Sequence, residues 1–483
     1  MQNKTIKIHP VDTLRNIATP IHKMEEECGV FAMYDTKQID NVAYAAYCGL
    51  FALQHRGQES AGITIANFGH LETIKGMGLV NEVFNVDELA HKIGNAAIGH
   101  VRYSTTGSSN LVNAQPLFAQ SVMGAIALAH NGNLVNANVL RHELEMDGAI
   151  FQTSSDSEVI LNLLAKRAKL GLEKAISDTC TTIRGAFALV MMIGNKLIAV
   201  RDPLGIRPLC LGKIRGTETH VLASESCALD IVGADLVRDI EPGELLIIDE
   251  TGFKSFKYAP TNERASCSFE YIYFSRPDSI LDGLDVYHVR ESAGRYLAHQ
   301  KPVEADVVVG VPDSGIVAAI GYSEESGIQY SMGLVRSKYM GRSFILPSQS
   351  LREQAVKLKL NPMRKVIAGK RVILVDDSLV RGTTAKKLIK LLREAGATEV
   401  HFRLASPMVK SECYFGVDIS SKEELIASRM SVDEICREIG ADSLDFLSIT
   451  NQRKILGGEQ FCEGCFTATY PIKDIENHQE DKC

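Results

Sequence analysis

The chain has no tryptophan, no apolar run as long as a membrane span and no excess of basic charge. The second absence excludes a transmembrane helix, which needs about 20 consecutive apolar residues. The third argues against nucleic-acid binding as the main task, because 52 Lys and Arg stand against 59 Asp and Glu and leave a net charge of −7. The apolar core of a secretory signal is also missing, since Lys, His, Asp and Glu interrupt the first 27 residues. Without an export signal, the eleven cysteines are expected in a reducing, cytoplasmic setting, as thiols or metal ligands and not as disulfides. The remaining composition is ordinary for a soluble globular protein, 45% hydrophobic and 23% charged. At 483 residues the chain is too long for one core, so two or more domains are expected.

One stretch organises the rest. Residues 371–388 read RVILVDDSLVRGTTAKKL. Val372 to Val375 form an apolar, largely β-branched run suited to a buried parallel strand. Asp376 and Asp377 end it, a loop of small and hydroxyl residues follows, and a helical pattern starts at Ala385. Backbone amides, hydroxyls and the positive end of a helix dipole would cradle a phosphate there. Two carboxylates at the strand end suit a ribose diol and Mg²⁺. An acidic pair alone would mean no more than a strand end before a capped helix. The whole string, however, resembles the phosphoribosyl pyrophosphate (PRPP) motif of the type I phosphoribosyltransferases. Residues 305–322, ADVVVGVPDSGIVAAIGY, repeat the strand–loop–helix theme. Two such units argue for an open, mainly parallel sheet with its ligand across the strand ends.

The resemblance implies that PRPP is bound by Asp376, Asp377, Ser378, Val380, Arg381, Gly382, Thr383 and Thr384, with Asp313, Ser314 and Gly315 facing the pyrophosphate. It implies one Mg²⁺ per subunit at Ser314, Asp376 and Asp377. By itself, the basic stretch 336–362 reads as a solvated loop and helix. In the resembled family the matching segment is a lid that closes over PRPP and excludes water.

Further upstream, Cys28 opens the apolar string GVFAMY, which by itself suggests only a small residue starting a strand. The strings LQHRGQESAG (53–62), GHVRYSTTG (99–107), ALAHNGNLVN (127–136), TSSDSE (153–158), RGAFALV (184–190), RDPLGIRPL (201–209) and ASES (223–226) follow it. Short strand-like runs punctuated by Gly, Asn and Ser suggest a layered sheet protein with helices near 40–54 and 157–169. Together, over about residues 28–255, the strings resemble the glutaminase domain of the N-terminal-nucleophile (class II) glutamine amidotransferases, an αββα fold. That implies Cys28 as nucleophile and Asn131 with the Gly132 amide as oxyanion hole. It implies Arg102 on the glutamine α-carboxylate and Asp156 on its α-ammonium. Alone, each is an ordinary polar loop residue, and Asn131-Gly132 could be a hairpin turn. The free α-amine needed as base exists only if residues 1–27 are a propeptide that is removed. Met24 is a second possible translation start, but Glu25 to Glu27 would still precede the thiol.

Residues 255–266 are polar and unpatterned and read as a linker, and 288–298 read as an amphipathic helix. The second domain is then expected over 267–483, ending in a metal-binding tail. Cys462 and Cys465 have Cys-x₂-Cys spacing, which suits either structural zinc or an iron–sulfur cluster. Cys267 and Cys413 lie in strings similar to those of cluster-bearing relatives, which implies one [4Fe–4S] cluster per subunit on Cys267, Cys413, Cys462 and Cys465. Cys48, Cys180, Cys210, Cys227 and Cys436 are expected to be buried apolar residues, and Cys483 an exposed terminal thiol.

With both halves in place, the chain resembles the amidophosphoribosyltransferase family, iron–sulfur type, over nearly its whole length. This implies glutamine-dependent amination of PRPP to 5-phosphoribosylamine, the committed step of purine synthesis, in a homotetramer inhibited by AMP, GMP, ADP and GDP. Two other classes compete. A non-catalytic PRPP-sensing regulator would not need Cys28, Arg102, Asn131 and Asp156. Another class II amidotransferase, such as a glucosamine-phosphate synthase, would not carry Asp376-Asp377.

Overall fold

The computed structural model describes residues 28–35, 37, 41–103, 109–260, 263–337, 360–419 and 421–473. The expected propeptide, most of the basic lid segment and Cys483 lie outside the described residues. The first half comprises β1 (Gly29–Tyr34), α1 (Val42–Ala52), β2 (Ser60–Asn67), β3 (His70–Met77), β4 (Ala96–Arg102), β5 (Leu117–Ser121) and β6 (Gly124–Leu134). Next come α2 (Ala137–Met146), α3 (Ser157–Arg167), α4 (Leu172–Thr182), β7 (Gly185–Ile193), β8 (Lys196–Arg201), β9 (Cys210–Ile214) and β10 (His220–Ala223). It closes with α5 (Cys227–Ile231), β11 (Ala234–Asp239), β12 (Glu244–Asp249) and β13 (Gly252–Lys257).

The strands form two antiparallel sheets, ordered β11-β9-β10-β1-β4-β2-β3 and β13-β12-β8-β7-β6-β5. Side-chain alternation explains the layering. Phe31 and Met33 of β1 pack outward with Ala46 and Leu50 of α1. Val30, Ala32 and Tyr34 face inward, against Ala127, Ala129, Ala188 and Val190 of the second sheet. Phe187, Leu189 and Met191 of β7 point the other way, onto Ile160 and Leu164 of α3 and Ile176 of α4. Both faces of both sheets are apolar, so each buries against a neighbour and the αββα stack results. Between the sheets, Ala32, Ala66, Ala96, Ala127, Ala129, Ala188 and Ala199 interleave with larger Leu and Ile side chains.

The second half contains β14 (Ser266–Cys267), a π-helical turn (Glu270–Phe274), α6 (Val286–Gln300), β15 (Val307–Gly310), α7 (Ile316–Ser326), β16 (Arg371–Asp376), α8 (Thr383–Glu394) and β17 (Glu399–Leu404). It ends with α9 (Val432–Ile439), β18 (Ser443–Phe446), α10 (Ile449–Leu456) and β19 (Phe461–Cys462). Its main sheet, β15-β16-β17-β18, is wholly parallel. On β16, Val372 and Leu374 pack with Leu388 and Leu392 of α8. Ile373 and Val375 pack on the opposite face, with Ala318 of α7 and Leu297 of α6. After α7 the chain adds a parallel bridge, Val308 to Tyr330, on the outer side of β15. After α8 it adds β17 on the outer side of β16. Chain progression therefore reverses between β15 and β16, where loops leaving adjacent strands part to opposite faces and open a crevice.

Three local expectations shift. The helix after the acidic loop starts at Thr383, not Ala385, because Gly382 takes φ +78° and turns the chain straight into it. The expected linker begins inside β13, whose Phe256 packs on the outer core. The linker is also pinned further along, where Ala265 N donates to Leu204 O at 2.8 Å. Cys180, Cys210 and Cys227 are buried as expected, but Cys48 and Cys436 are half-buried. No helix of the described residues is long and apolar enough to cross a membrane.

Candidate active sites

Cys28 immediately precedes β1, whose neighbours in the sheet are β10 and β4. Its thiol donates to the Tyr103 carbonyl at 3.5 Å, one residue beyond Arg102 at the end of β4. Arg102 is buried and paired with Glu59 at 2.6 Å. The Cys28 carbonyl accepts from Arg56 Nε at 3.0 Å. Asn131 and Gly132 lie across the sandwich on β6. Asn131 Nδ2 reaches Ser224 Oγ at 3.5 Å, and that hydroxyl accepts from Val30 N at 2.9 Å. Ser224 therefore ties Asn131 to the strand that Cys28 begins.

Asn131-Gly132 is not a hairpin turn. The pair sits mid-strand, in register with Ala188 and Phe187 of β7. Gly132 has φ +146°, and a Cβ there would stand 2.0 Å from the Ala186 carbonyl oxygen, so only glycine fits. Asp156, at the start of α3, accepts from Leu134 N at 3.0 Å, which docks it beside the end of the same strand. His130 Nδ1 lies 3.8 Å from Asp156. Burial pushes the His130 imidazole below its ordinary value, a shift that the nearby Asp156 opposes. All five glutamine-site residues expected from the sequence are thus carried by three strands, β1, β4 and β6, and by the start of α3.

Sequence reading assigned no role to the charges beneath this site. Arg56, Glu225, Glu270 and Arg207 are all at most 2% exposed. Arg56 pairs with Glu225 and Glu270 at 2.7 Å each, and Arg207 reaches Glu270 at 3.5 Å. Arg56 and Glu225 lie in the noted strings LQHRGQ and ASES, and Glu270 lies in FEYIYF. No local pattern marks them, because the partners of Arg56 lie more than 160 residues away.

In the second half, Asp376 and Asp377 are buried at the C-terminal end of β16. Asp377 N donates to Asp376 Oδ1 at 3.0 Å. The Asp377 carboxylate accepts from Ser314 Oγ, out of the neighbouring loop, and from Ser378 Oγ at 2.5 Å. Ser314, Asp376 and Asp377 thus meet at the crevice between β15 and β16. Two carboxylates and a hydroxyl are hard oxygen donors suited to Mg²⁺, which completes its octahedron with water and substrate phosphates. On the far side of the loop, α8 has no side-chain cap at its N-terminus, and Thr384 Oγ1 is buried without a hydrogen-bond partner. Uncapped amides and an orphaned hydroxyl at a helix start fit a phosphate. Val380 O accepts from Ile426 N at 3.0 Å, and Arg381 pairs with Glu424 at 2.6 Å. Asp313 pairs with Arg336 at 2.9 Å. Arg290, behind the crevice, is pulled down to about 10 by burial, a shift that the nearby Asp377 opposes.

The four cysteines expected at a metal site come together. Parallel pairing of β14 with β19 sets Cys267 opposite Cys462. Cys413 and Cys465 join them in one apolar cluster with Phe269, Phe415 and Phe466. Burial pushes the Cys462 thiol up to about 12, and burial with its three cysteine neighbours pushes Cys465 well above the ordinary range. These thiols ionise only if a cationic centre compensates them, and Cys₄ sets suit an iron–sulfur cluster or zinc. Among the described residues no three or more His, Cys, Asp or Glu side chains are arranged to hold a metal ion directly.

A family model described as "Glutamine amidotransferase domain" matches residues 100–230, and one described as "Phosphoribosyl transferase domain" matches 278–423. The chain is 51% identical to amidophosphoribosyltransferase 1, chloroplastic, of Arabidopsis thaliana, over 94% of this chain and 80% of that protein. It superimposes with TM-score 0.87 and 48% identity on the glutamine PRPP amidotransferase from B. subtilis complexed with ADP and GMP, covering 92% of this chain and 97% of that one. A structure described as the allosteric regulatory enzyme of purine biosynthesis matches with TM-score 0.88 and 48% identity, covering 93% and 97%.

Proposed function

Because the chain belongs to the amidophosphoribosyltransferase family, we propose how its residues divide the work of that enzyme. The activity is amination of PRPP by glutamine to give 5-phosphoribosylamine, with release of glutamate and diphosphate, in purine biosynthesis. One observation carries the assignment of roles: a thiol beside a mid-strand Asn-Gly pair and a phosphate-shaped crevice with an orphaned hydroxyl occupy one chain, joined by buried charges.

In this reading residues 28–255 form the glutaminase domain and residues 267–483 the phosphoribosyltransferase domain. The Cys28 thiol attacks the carboxamide carbon of glutamine, and its own α-amine takes the proton once residues 1–27 are cleaved away. Asn131 Nδ2 and the Gly132 amide receive the negative charge on the carbonyl oxygen. Arg102 binds the substrate α-carboxylate and Asp156 its α-ammonium. The tetrahedral intermediate then collapses, the protonated α-amine returns its proton to the departing nitrogen, and ammonia leaves behind a thioester that water opens to free glutamate. In the second domain, residues 378–384 hold the 5′-phosphate, Asp376 and Asp377 the ribose diol, and Asp313 to Gly315 the pyrophosphate that leaves when ammonia attacks C1. Mg²⁺, held by Ser314, Asp376 and Asp377, would offset the charge of that leaving group. A [4Fe–4S] cluster on Cys267, Cys413, Cys462 and Cys465 would clamp the start of the domain to its tail. A cytoplasmic homotetramer inhibited by AMP, GMP, ADP and GDP completes the proposal, supported by the relative solved with ADP and GMP.

The test separates the two half-reactions. Cys28→Ala should abolish glutamine-dependent turnover and spare turnover with free ammonia. Asp377→Asn should depress both. Loss of both activities in folded Cys28→Ala, or undiminished ammonia-dependent turnover in Asp377→Asn, overturns the assignment.

A further inference from the structure

The strand that carries Asn131 and Gly132 leans on a turn of the other half. Asn133, also on β6, donates from Nδ2 to the Tyr414 carbonyl at 2.9 Å. Fully buried Arg207 donates from Nε and Nη2 to the next carbonyl, Phe415 O, at 3.1 and 2.5 Å. Gly416 then has φ +106°, and a Cβ on it would stand 3.2 Å from the Gly132 carbonyl carbon and 3.1 Å from Arg207 Nη2. Three successive residues of the second half thus touch β6 or the arginine beside it. Two of them do so through main-chain carbonyls, and the third through having no side chain.

Such a contact matters because of what it touches. Gly132 holds a positive φ mid-strand, which persists only where the surroundings over-determine it. An amide that stabilises an oxyanion must also be aimed correctly before the charge develops. The core behind β6 fixes one side of Gly132, through Ala186. On another side stands the 414–416 turn.

We propose that residues 414–416 of the phosphoribosyltransferase half are a cross-domain buttress for the oxyanion hole. Asn133 is its positioning residue on β6. The glutaminase half reaches its full acyl-transfer rate only when seated on this turn. The proposal rests on the reading of Asn131 and Gly132 as the oxyanion donors, and its test keeps the two apart.

Full-length Asn133→Ala removes one anchor, and Gly416→Ala wedges a methyl group between the turn and Gly132. Three rates are measured: glutamine-dependent turnover, ammonia-dependent turnover, and alkylation of Cys28 by iodoacetamide, followed by mass spectrometry of its peptide. Alkylation at an sp³ carbon builds no oxyanion, so it reports the nucleophile alone. Loss of a whole donor costs about 10²–10³-fold, so misalignment should lower kcat with glutamine by about 10-fold. KM for glutamine, ammonia-dependent turnover and alkylation should stay within about two-fold. Unchanged glutamine turnover in both variants overturns the proposal. So does a parallel fall in all three rates, which marks a merely structural contact, or a fall in alkylation alongside glutamine turnover. Asn131→Ala isolates the premise. If it spares glutamine turnover, the oxyanion reading fails and takes the buttress with it. If it abolishes turnover while the other two variants do not, only the buttress is wrong.

Discussion

Replacing Glu225 with Gln should loosen the joint between the two halves by an amount the structure allows to be worked out. Glu225 is completely buried. Its carboxylate accepts from Arg56 Nη1 and His55 Nε2 at 2.7 Å each, from Arg276 N at 2.9 Å and from Ser279 Oγ at 2.7 Å. Two donors belong to the first half and two to the second. The Gln amide keeps the volume but loses the charge, and it turns its own N–H groups toward donors. Removing one partner of a buried ion pair costs about 3–5 kcal/mol. Arg56 keeps Glu270, so the lower end applies, about 3 kcal/mol. Unfolding entropy of about 2.1 cal/mol/K per residue gives roughly 1 kcal/mol/K for this chain, hence a Tm lower by about 3 °C. The sign with pH follows from the carboxyl itself. Burial works to raise it, but the charges and hydrogen bonds of His55 and Arg56 outweigh burial and hold it below the ordinary carboxylate range. A carboxyl depressed in the folded state stabilises fully above its unfolded value, about 4.3, and loses that contribution as pH falls toward the folded value. Calorimetry should therefore find the gap between wild type and Glu225→Gln widest near neutrality and narrowing from pH 5 to 3. Equal Tm values at neutral pH, or a gap that widens in acid, would refute the reasoning.

Three further outcomes are expected. Thr384→Val removes an orphaned buried hydroxyl, so it should leave Tm equal or higher while raising KM for PRPP by about five-fold, the cost of one lost hydrogen bond of about 1 kcal/mol; an unchanged KM removes Thr384 from the phosphate site. Anaerobically purified protein should be brown and hold about four irons and four sulfides per chain. Oxygen should bleach it and lower its Tm, whereas stoichiometric zinc without sulfide would reverse the metal assignment. Active enzyme should begin at Cys28, and Cys28→Ala should retain Glu27 and what precedes it; N-terminal sequencing that finds Glu27 on fully active protein excludes the free-amine mechanism.

Features encoded by neighbours along the chain were legible before any fold was known. A buried parallel strand is a short apolar run, so β16 was legible, and the acids, loop and helix start after it follow in the same string, 371–388. The same locality made Cys28, Arg102, Asn131, Gly132 and Asp156 readable through their strings, and the Cys462–Cys465 pair through its spacing. Features that depend on contacts between distant segments became visible only in the folded chain. Asn131-Gly132 in isolation fits a hairpin, and pairing with β7 made it a mid-strand site. The switch point between β15 and β16 needed the Tyr330 bridge, a single pairing with no sequence pattern of its own. The charges of Arg56, Glu225 and Glu270 would each be costly to bury alone, and folding supplied the distant partners that make burial tolerable. Tyr414 and Phe415 meet β6 and Arg207 through carbonyl oxygens, which every residue carries, so no choice of side chain could have marked them.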